Sequence, residues 1–352
     1  MATYAQKLAA TARSVLSTGG NLQSIAGREQ IDPAQLKSAL AGHFASLHPN
    51  ASPAVDSAVA DVIRSADAAL AKVGDGRSDQ LTARECAALE VIVLVTGRPA
   101  LRYIDGRVQP PDESVAGNER WQVFVVTARK NIDRVSASVA RLHRVEQSGV
   151  HTHIGTGWRL GDDLLVTNRH VAQLIRWQPG KSPCVADFAM TNNTAGPKLF
   201  EVESLAYCAE EDTVDAAVLR LKPTTATLPP PLDPAFEALA VGDEVYVVGH
   251  PMNRATPQTQ QVFGDADGYK RCSPGRTTGL DDEYPVFEHD CSTLRGNSGS
   301  VVLSVGTHRP VGLHYGGWPS DPAGTIGEAN VAVAFANLGT HRLREILASG
   351  QL

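Results

Sequence analysis

Short apolar runs separated by Gly, Pro, Asn and Asp fill the chain from about residue 137 onward. The clearest runs are Asp163 to Thr167, Ala216 to Leu221, Glu244 to Val248, Val301 to Val305 and Val331 to Phe335. Many short strands with turn residues between them are typical of an all-β sandwich or barrel. The sequence therefore predicts a mainly β domain over residues 137–352.

The first 76 residues have a different pattern, because they are rich in alanine and carry apolar residues at helical spacing. Ser52-Pro53 is a typical helix start, since a capping residue is followed by a proline that fits the first turn. A helix is predicted to follow it over Ala54 to Leu70. Residues 1–76 are therefore interpreted as a small α-helical domain that precedes the β domain.

Residues 77–136 are mixed in character. Helices are predicted at Leu81 to Val95 and at Trp121 to Val135, with a loop containing Pro and Gly between them. We interpret this part as a linker or pro-region that packs on the β domain. A last helix is predicted at Leu338 to Ala348.

Composition excludes some classes of protein. A net charge of −6 argues against a nucleic-acid-binding protein, whose surface would be basic. No apolar stretch is long enough to span a membrane, and residues 1–10 lack the apolar core of a secretory signal. We therefore expect a cytoplasmic protein without a membrane partner. Five widely spaced cysteines, with no CxxC pair, favour buried free thiols.

Three segments of the β domain carry residues that act together in hydrolases. His170 follows an apolar strand that ends in Thr-Asn, Asp215 stands at the start of another apolar strand, and Ser298 lies in a glycine-rich turn before a third. The order His, Asp, Ser matches the chymotrypsin arrangement, so these three residues are predicted to be catalytic. Asp212 competes with Asp215, but Asp215 stands two residues before the small-apolar-leucine pattern, which favours it.

The chemistry of acyl transfer explains why these residue types are needed together. A serine hydroxyl is a poor nucleophile at neutral pH, so an imidazole must take its proton and later give it to the leaving amine. A carboxylate fixes the tautomer of the imidazole. The oxyanion hole is predicted in the turn Gly296, Asn297 and Ser298, where the N–H groups of Gly296 and Ser298 would converge on one point.

The three segments resemble the trypsin-like serine peptidases of bacteria, and within them the glutamyl endopeptidase-like branch. The resemblance rests on Thr-Asn-x-His-Val at Thr167 to Val171, Gly-Asn-Ser-Gly-Ser at Gly296 to Ser300 and Gly-x-His-x-Gly-Gly at Gly312 to Gly317. It covers about residues 137–350 and leaves residues 1–76 outside. It implies a chymotrypsin-like fold, a double six-stranded β-barrel, and a serine endopeptidase activity.

The resemblance also implies where the side chain before the scissile bond would bind. Ser292 stands where trypsin-type enzymes carry an aspartate, while Thr293 and His314 match residues that contact the substrate carboxylate in glutamyl endopeptidases. Arg295, at a position where the family often has glycine, is expected at the rim of the pocket, and Gly316 belongs to the same substrate-binding set. A hydroxyl, an imidazole and a guanidinium would suit Glu or Asp. The open alternative is that His314 is only a wall residue.

Other histidines are assigned no chemistry. His151 and His153 share one strand face, but no third ligand accompanies them, so neither a metal nor a cofactor is predicted. His289 and Asp290 are interpreted as structural support for the loop that carries the nucleophile.

The expected partner of the β domain is a protein or peptide substrate, and nucleic acid is not expected. Residues 1–76 are interpreted as an adaptor that brings an activator protein to the enzyme, as on relatives in bacterial signalling and defence systems. The alternative is a catalytically silent protein with a protease fold that recruits partners through the helical domain.

Overall fold

The computed structural model describes residues 53–75, 98–111, 118–146, 148–175, 183–193, 196–210, 213–252, 268–281, 283–319 and 327–352, with single positions between 77 and 88 and at 177. In chain order its helices are α1 (Pro53–Gly74), α2 (Glu119–Ala137), α3 (Arg169–Gln173) and α4 (Arg342–Ser349), with a 3₁₀ turn at Phe335–Leu338. Its strands are β1 (Leu101–Ile104), β2 (Arg107–Val108), β3 (Val139–Val145), β4 (His151–Leu160), β5 (Leu164–Thr167), β6 (Cys184–Asp187), β7 (Leu199–Cys208), β8 (Ala217–Leu221), β9 (Glu244–Gly249), β10 (Arg271–Leu280), β11 (Val286–His289), β12 (Val301–Ser304), β13 (Pro310–Pro319) and β14 (Gly327–Ala334).

Strands β3 to β8 close into a first antiparallel barrel, in the order β3-β4-β5-β8-β7-β6. Side chains of a strand point alternately to its two faces, and β8 shows the consequence. Ala217, Leu219 and Leu221 lie in the core inside this barrel, whereas Val218 packs in a second core outside it. Because both faces are covered at Ala217 to Leu219, this part of the strand is an apolar run in the sequence.

The second barrel is formed by β11-β14-β13-β12-β9-β10 and is closed by pairing between β10 and β11. Its strands alternate in the same way: Val245 and Val247 of β9 lie inside, and Tyr246 and Val248 lie outside. The mainly β, chymotrypsin-like double six-stranded barrel predicted from the sequence is therefore confirmed.

Residues 98–111 and 118–137 pack onto the two barrels. β1 pairs with the edge of β10, with Leu101 opposite Cys272. Helix α2 contributes Trp121, Phe124 and Ile132 to the core outside the barrels. This core also contains residues of both barrels and of α4. The division of the chain at residues 76 and 136, and the interpretation of 77–136 as a linker or pro-region, stay predictions.

The predicted helix over Ala54 to Leu70 corresponds to α1. Residues 1–52 lie outside the described residues, so a helical bundle over 1–76 stays a prediction, as does most of the helix over Leu81 to Val95. Within the described residues, no helix is both long and apolar enough to cross a membrane. Four cysteines are described as free thiols; of these, only Cys208 is exposed.

Candidate active site

The register of the first barrel brings His170 and Asp215 together. Thr167, the last residue of β5, is opposite Ala217, the first residue of β8, so the residues just after β5 run beside those just before β8. His170 Nδ1 lies 2.5 Å from Asp215 Oδ2. The backbone N–H of His170 also donates to Asp215 Oδ1, at 3.1 Å. Because a carboxylate only accepts, the imidazole donates from Nδ1, and Nε2 is left as the acceptor.

Further contacts fix the orientation of His170 and Asp215. Asn168 Nδ2 donates to the backbone carbonyl of Asp215 at 2.8 Å, which ties the loop before β8 to the start of α3. The Asp215 side chain is 16% exposed, whereas that of His170 is 44% exposed. The carboxylate is therefore covered, and the imidazole stays open to a substrate. Asp212, which competed for this role, lies outside the described residues.

The turn that carries Ser298 is bound to β4 through one residue, Thr156. The N–H of Thr156 donates to the carbonyl of Ser298 at 2.8 Å, and its hydroxyl donates to the carbonyl of Gly296 at 2.9 Å. Gly296 and Gly299 have φ values of +95° and +86°, which glycine adopts without strain. A Cβ on Gly299 would overlap the carbonyl oxygen of Thr156, so glycine is also required for this close approach.

Gly155 lets the histidine and serine segments approach the same point. A Cβ on this residue would lie 2.8 Å from a methyl of Val171, which follows His170, and 3.0 Å from the carbonyl oxygen of Ser298. Both are closer than ordinary contacts. No hydrogen bond joins the Ser298 hydroxyl to the His170 ring within the described chain, and catalytic hydrogen bonds often close only when substrate is bound.

Two of the three residues predicted for the oxyanion hole offer free donors. Among described residues, no acceptor is recorded for the backbone N–H of Gly296 or of Ser298. The N–H of Asn297 donates instead to the carbonyl of Leu294 at 3.1 Å, and its buried side chain accepts from the Ser300 hydroxyl at 3.3 Å. Asn297 therefore supports the turn internally, and the oxyanion hole formed by the N–H groups of Gly296 and Ser298 stays a prediction.

The residues predicted for the specificity pocket are not all equally accessible. Thr293 is half-buried, and its hydroxyl donates to Asn330 Oδ1 at 2.5 Å. Asn330 in turn donates to the carbonyl of Cys291 at 2.8 Å. Ser292 is 3% exposed, and its hydroxyl donates to the backbone carbonyl of Arg98. Ser292 is therefore buried with its hydroxyl bound inside the protein, and its predicted contact with substrate stays a prediction.

His314 lies behind the nucleophile turn. Its N–H donates to the carbonyl of Ser300 and its carbonyl accepts from Gly299, both at 2.9 Å. Its Nδ1 lies 3.2 Å from Nε2 of His289, and both rings are buried. The pKa of His314 lies well below its usual range, mainly because the ring is buried and to a smaller extent because His289 and His170 are near. Burial alone lowers the pKa of His289 to about 3.

Two further residues predicted to bind substrate, Arg295 and Gly316, are at least partly exposed to solvent. The Arg295 side chain is exposed, and its backbone carbonyl accepts from the N–H of Met252. Gly316 is partly exposed with φ of +155°, and a Cβ there would meet no atom within 4 Å. Both positions leave room for a bound chain.

Several supporting residues were not identified from the sequence. Thr156 and Gly155 lie in β4, and no role was predicted for either of them. Arg98 gave no signal, because its partners Asp290 and Ser292 are 192 and 194 residues away. Asp290 was predicted to support the loop, and its buried ion pair with Arg98 is such a support.

His151 and His153 lie at the other side of the turn, near His143. The rings of His143 and His151 are 5.8 Å apart between centroids, and those of His143 and His153 are 6.3 Å apart. Burial is the largest cause that lowers the pKa of His153 to about 3. No group of three or more His, Cys, Asp or Glu side chains suited to a metal ion occurs among the described residues.

Residues 155–313 match the family model described as a trypsin-like peptidase domain, and the match includes His170, Asp215 and Ser298. No curated protein sequence matches the chain. Among solved structures, the active form of the Rv3671c protease of M. tuberculosis is similar at 19% identity and a TM-score of 0.43, over 65% of this chain and 87% of that one. Its inactive form is similar at 20% identity and a TM-score of 0.40, over 64% and 94%. A serine endoprotease from Yersinia pestis is similar at 17% identity and a TM-score of 0.43, over 63% and 67%.

Proposed function

We propose that this protein is a serine endopeptidase in which Ser298 is the nucleophile, His170 the general base and Asp215 the residue that orients the histidine. The observation that carries the proposal is the 2.5 Å contact between His170 Nδ1 and Asp215 Oδ2. It leaves Nε2 of an open imidazole as a base, on the same side of the first barrel as the serine turn. The match of residues 155–313 to a trypsin-like peptidase domain supports the same reaction class.

The proposed reaction has two halves. Ser298 Oγ attacks the carbonyl carbon of the scissile bond while His170 Nε2 takes the hydroxyl proton. The negative oxygen of the tetrahedral intermediate accepts hydrogen bonds from the N–H groups of Gly296 and Ser298. His170 then gives the proton to the leaving nitrogen, the C–N bond breaks, and an acyl-enzyme remains. A water molecule, deprotonated by His170, hydrolyses this ester and restores the Ser298 hydroxyl.

The finer part of the proposal is a preference for Glu or Asp before the scissile bond. His289 Nε2 and His314 Nδ1 share one hydrogen bond, so one of the two nitrogens must carry a proton. If His289 donates, the proton of His314 is on Nε2, where it can donate to a carboxylate. Thr293 would add a hydroxyl donor after releasing Asn330, and the exposed Arg295 would add positive charge at the rim.

Burial of His314 gives this pocket a pH dependence. Its pKa is well below the usual range in the free protein, mainly because of burial, so the ring is neutral near pH 7. A carboxylate beside the ring favours the protonated form and raises that pKa again. Binding of an acidic side chain then takes up a proton, and the preference for Glu over Gln should increase as the pH falls.

A matched pair of peptide substrates tests the acidic preference. Two fluorogenic peptides that differ only in Glu or Gln before the scissile bond are compared at pH 7 and pH 5.5. Thr293→Val should lower kcat/KM for the Glu peptide about 10-fold, because a hydrogen bond to a charged group contributes about 1.5–3 kcal/mol, and should affect the Gln peptide less. Thr307→Val is the control, since that residue lies in the turn between β12 and β13. Equal losses for the two peptides would contradict the acidic pocket and leave the triad untouched.

Regulation by the N-terminal region is the last part of the proposal. A broadly active peptidase would damage its own cell, which favours a protein whose basal activity is low and rises when an activator binds residues 1–76. Deletion of residues 1–52 keeps every described residue, so it removes much of this region and leaves intact the packing of residues 98–111 and 118–137 on the barrels. A several-fold change in kcat/KM is expected, and an unchanged value would contradict regulation by these residues.

A further inference from the structure

Arg98 is almost completely buried although it carries a charge, with 5% of its surface exposed. Its guanidinium lies 2.5 Å from a carboxylate oxygen of Asp290. Its backbone carbonyl accepts a hydrogen bond from the hydroxyl of Ser292. One residue from the segment before β1 therefore holds both chain neighbours of Cys291, one through its side chain and the other through its backbone.

The segment that Arg98 holds has no regular structure of its own. β11 ends at His289 and β12 begins at Val301, and the residues between them form irregular backbone and turns. Such a segment lacks the repeated ladder bonds that fix a strand, so individual hydrogen bonds must fix its position. Asp290 is also bound to β10, because its Oδ1 accepts from the N–H of Arg276 at 2.6 Å.

The two sides of this segment are held by different residues. Asn330 of β14 binds the carbonyl of Cys291 at 2.8 Å and the hydroxyl of Thr293 at 2.5 Å. Arg98 binds the other side, through Asp290 and Ser292. The segment is therefore clamped between a strand of the second barrel and a residue that precedes that barrel in the chain.

A buried ion pair is a weak source of stability, because the loss of hydration of both charges offsets most of their attraction. Its better-attested use is to select one arrangement over others. The pair of Arg98 and Asp290 has side-chain exposures of 6% and 11%, so it belongs to this buried class. The pair lies at the start of the segment that leads to Ser298, so the arrangement it would select is that of this segment.

We infer that Arg98 is a positioning residue that fixes the wall of the specificity pocket, an inference that rests on the proposed peptidase function. It touches no reacting atom, and it acts on substrate through Asp290, Ser292 and their neighbour Thr293. The segment before β1 is then a component of substrate recognition. A displacement of that segment would change how the side chain before the scissile bond is bound, while the triad stays in place.

The test separates pocket binding from the chemistry of the nucleophile. Full-length wild type, Arg98→Met, Arg98→Lys and Asp290→Asn are compared in two assays. One is kcat/KM for the peptide with Glu before the scissile bond, and the other is the rate of Ser298 labelling by diisopropyl fluorophosphate, which has no side chain to fill the pocket. Arg159→Met is the matched control, because Arg159 is a buried arginine bound to the carbonyls of Pro229 and Asp162.

We expect Arg98→Met to lower peptide kcat/KM about 10-fold or more, mainly through KM, while labelling changes less than about 3-fold. Arg98→Lys should recover part of the loss, because it restores the charge beside Asp290. If Arg98→Met does not fold, Asp290→Asn should show the same split between the two assays, since it removes the charge and keeps the shape.

Two results would overturn the inference. The first is an unchanged peptide kcat/KM in a folded Arg98→Met or Asp290→Asn variant. The second is an equal loss in both assays that Arg159→Met reproduces, because such a loss indicates a structural role alone. The wild type separates these results from failure of the proposed function. A wild type that is neither labelled nor able to cleave peptides would refute the peptidase itself, and the inference with it.

Discussion

Replacement of Asp215 by asparagine separates the orienting role of the carboxylate from its role in folding. Two contacts join this side chain to His170: Oδ1 accepts from the backbone N–H at 3.1 Å and Oδ2 faces ring Nδ1 at 2.5 Å. In Asp215→Asn the amide oxygen should keep the backbone N–H, which places the amide NH₂ against Nδ1. Two donors cannot share this contact, so the imidazole must move its proton to Nε2. A protonated Nε2 cannot accept the Ser298 proton.

The expected loss is large and falls on kcat. Comparable substitutions in serine peptidase triads lower kcat about 10⁴-fold, which corresponds to about 5 kcal/mol at 1.36 kcal/mol for each tenfold change. KM should change little, because Asp215 does not contact substrate. The assay is steady-state hydrolysis of a peptide substrate, with thermal unfolding measured in parallel.

The control for this substitution is Asp163→Asn. Asp163 pairs with Arg220 at the other end of the β5–β8 pair and is 40% exposed, so kcat should stay within about twofold. A loss of less than about 10-fold in a folded Asp215→Asn protein would refute the assignment of Asp215. The orienting carboxylate would then have to be sought elsewhere, with Asp212 as the first candidate.

Two further predictions concern stability. Gly299→Ala should destabilise the fold by about 3 kcal/mol or more in urea unfolding, because its Cβ overlaps the carbonyl of Thr156. The control Gly242→Ala, at a similar φ of +95° with open space around it, should cost only about 1–2 kcal/mol. Similar costs for the two substitutions would contradict the close approach of Gly299 to Thr156. Burial lowers the pKa of His153 and of His289 to about 3 in the folded protein, against 6.5 when exposed. Below pH 6.5 the unfolded chain binds more protons, so stability is complete above that pH and is lost as the pH falls towards 3, by about 1.4 kcal/mol for each ring at pH 5.5. Unfolding free energies that stay constant from pH 7 to 5 would refute this.

The sequence was sufficient to predict the fold and the pairing of His170 with Asp215, because both depend on local patterns. Barrel strands such as β9 are covered on both faces over most of their length, so they appear as short apolar runs such as Val245 to Val248. His170 and Asp215 stand directly after one such run and before another, and antiparallel pairing of β5 with β8 is enough to bring them together.

The specificity pocket was less predictable, because its contacts join distant parts of the chain. Ser292 was expected to face substrate, yet its hydroxyl is bound by Arg98, which lies 194 residues earlier. No local pattern marks such a pair. His314 was identified through its strand motif, but its contact with His289 crosses the intervening strand β14, and only the register of β11, β14 and β13 reveals it.

Peptidase activity should depend on the hydroxyl of Ser298, and a comparison of the protein with and without that hydroxyl tests this dependence. Full-length protein and its Ser298→Ala variant are incubated with a proteome-derived peptide library, and the new termini are identified by mass spectrometry. We predict cleavage with wild type and none above background with Ser298→Ala, with most cuts after Glu or Asp. Cuts after other residues, still dependent on Ser298, would keep the triad and reject the acidic pocket. Identical cleavage by both proteins would refute Ser298 as the nucleophile. No cleavage by wild type, either with or without residues 1–52, would favour a protease fold that serves only to bind partners.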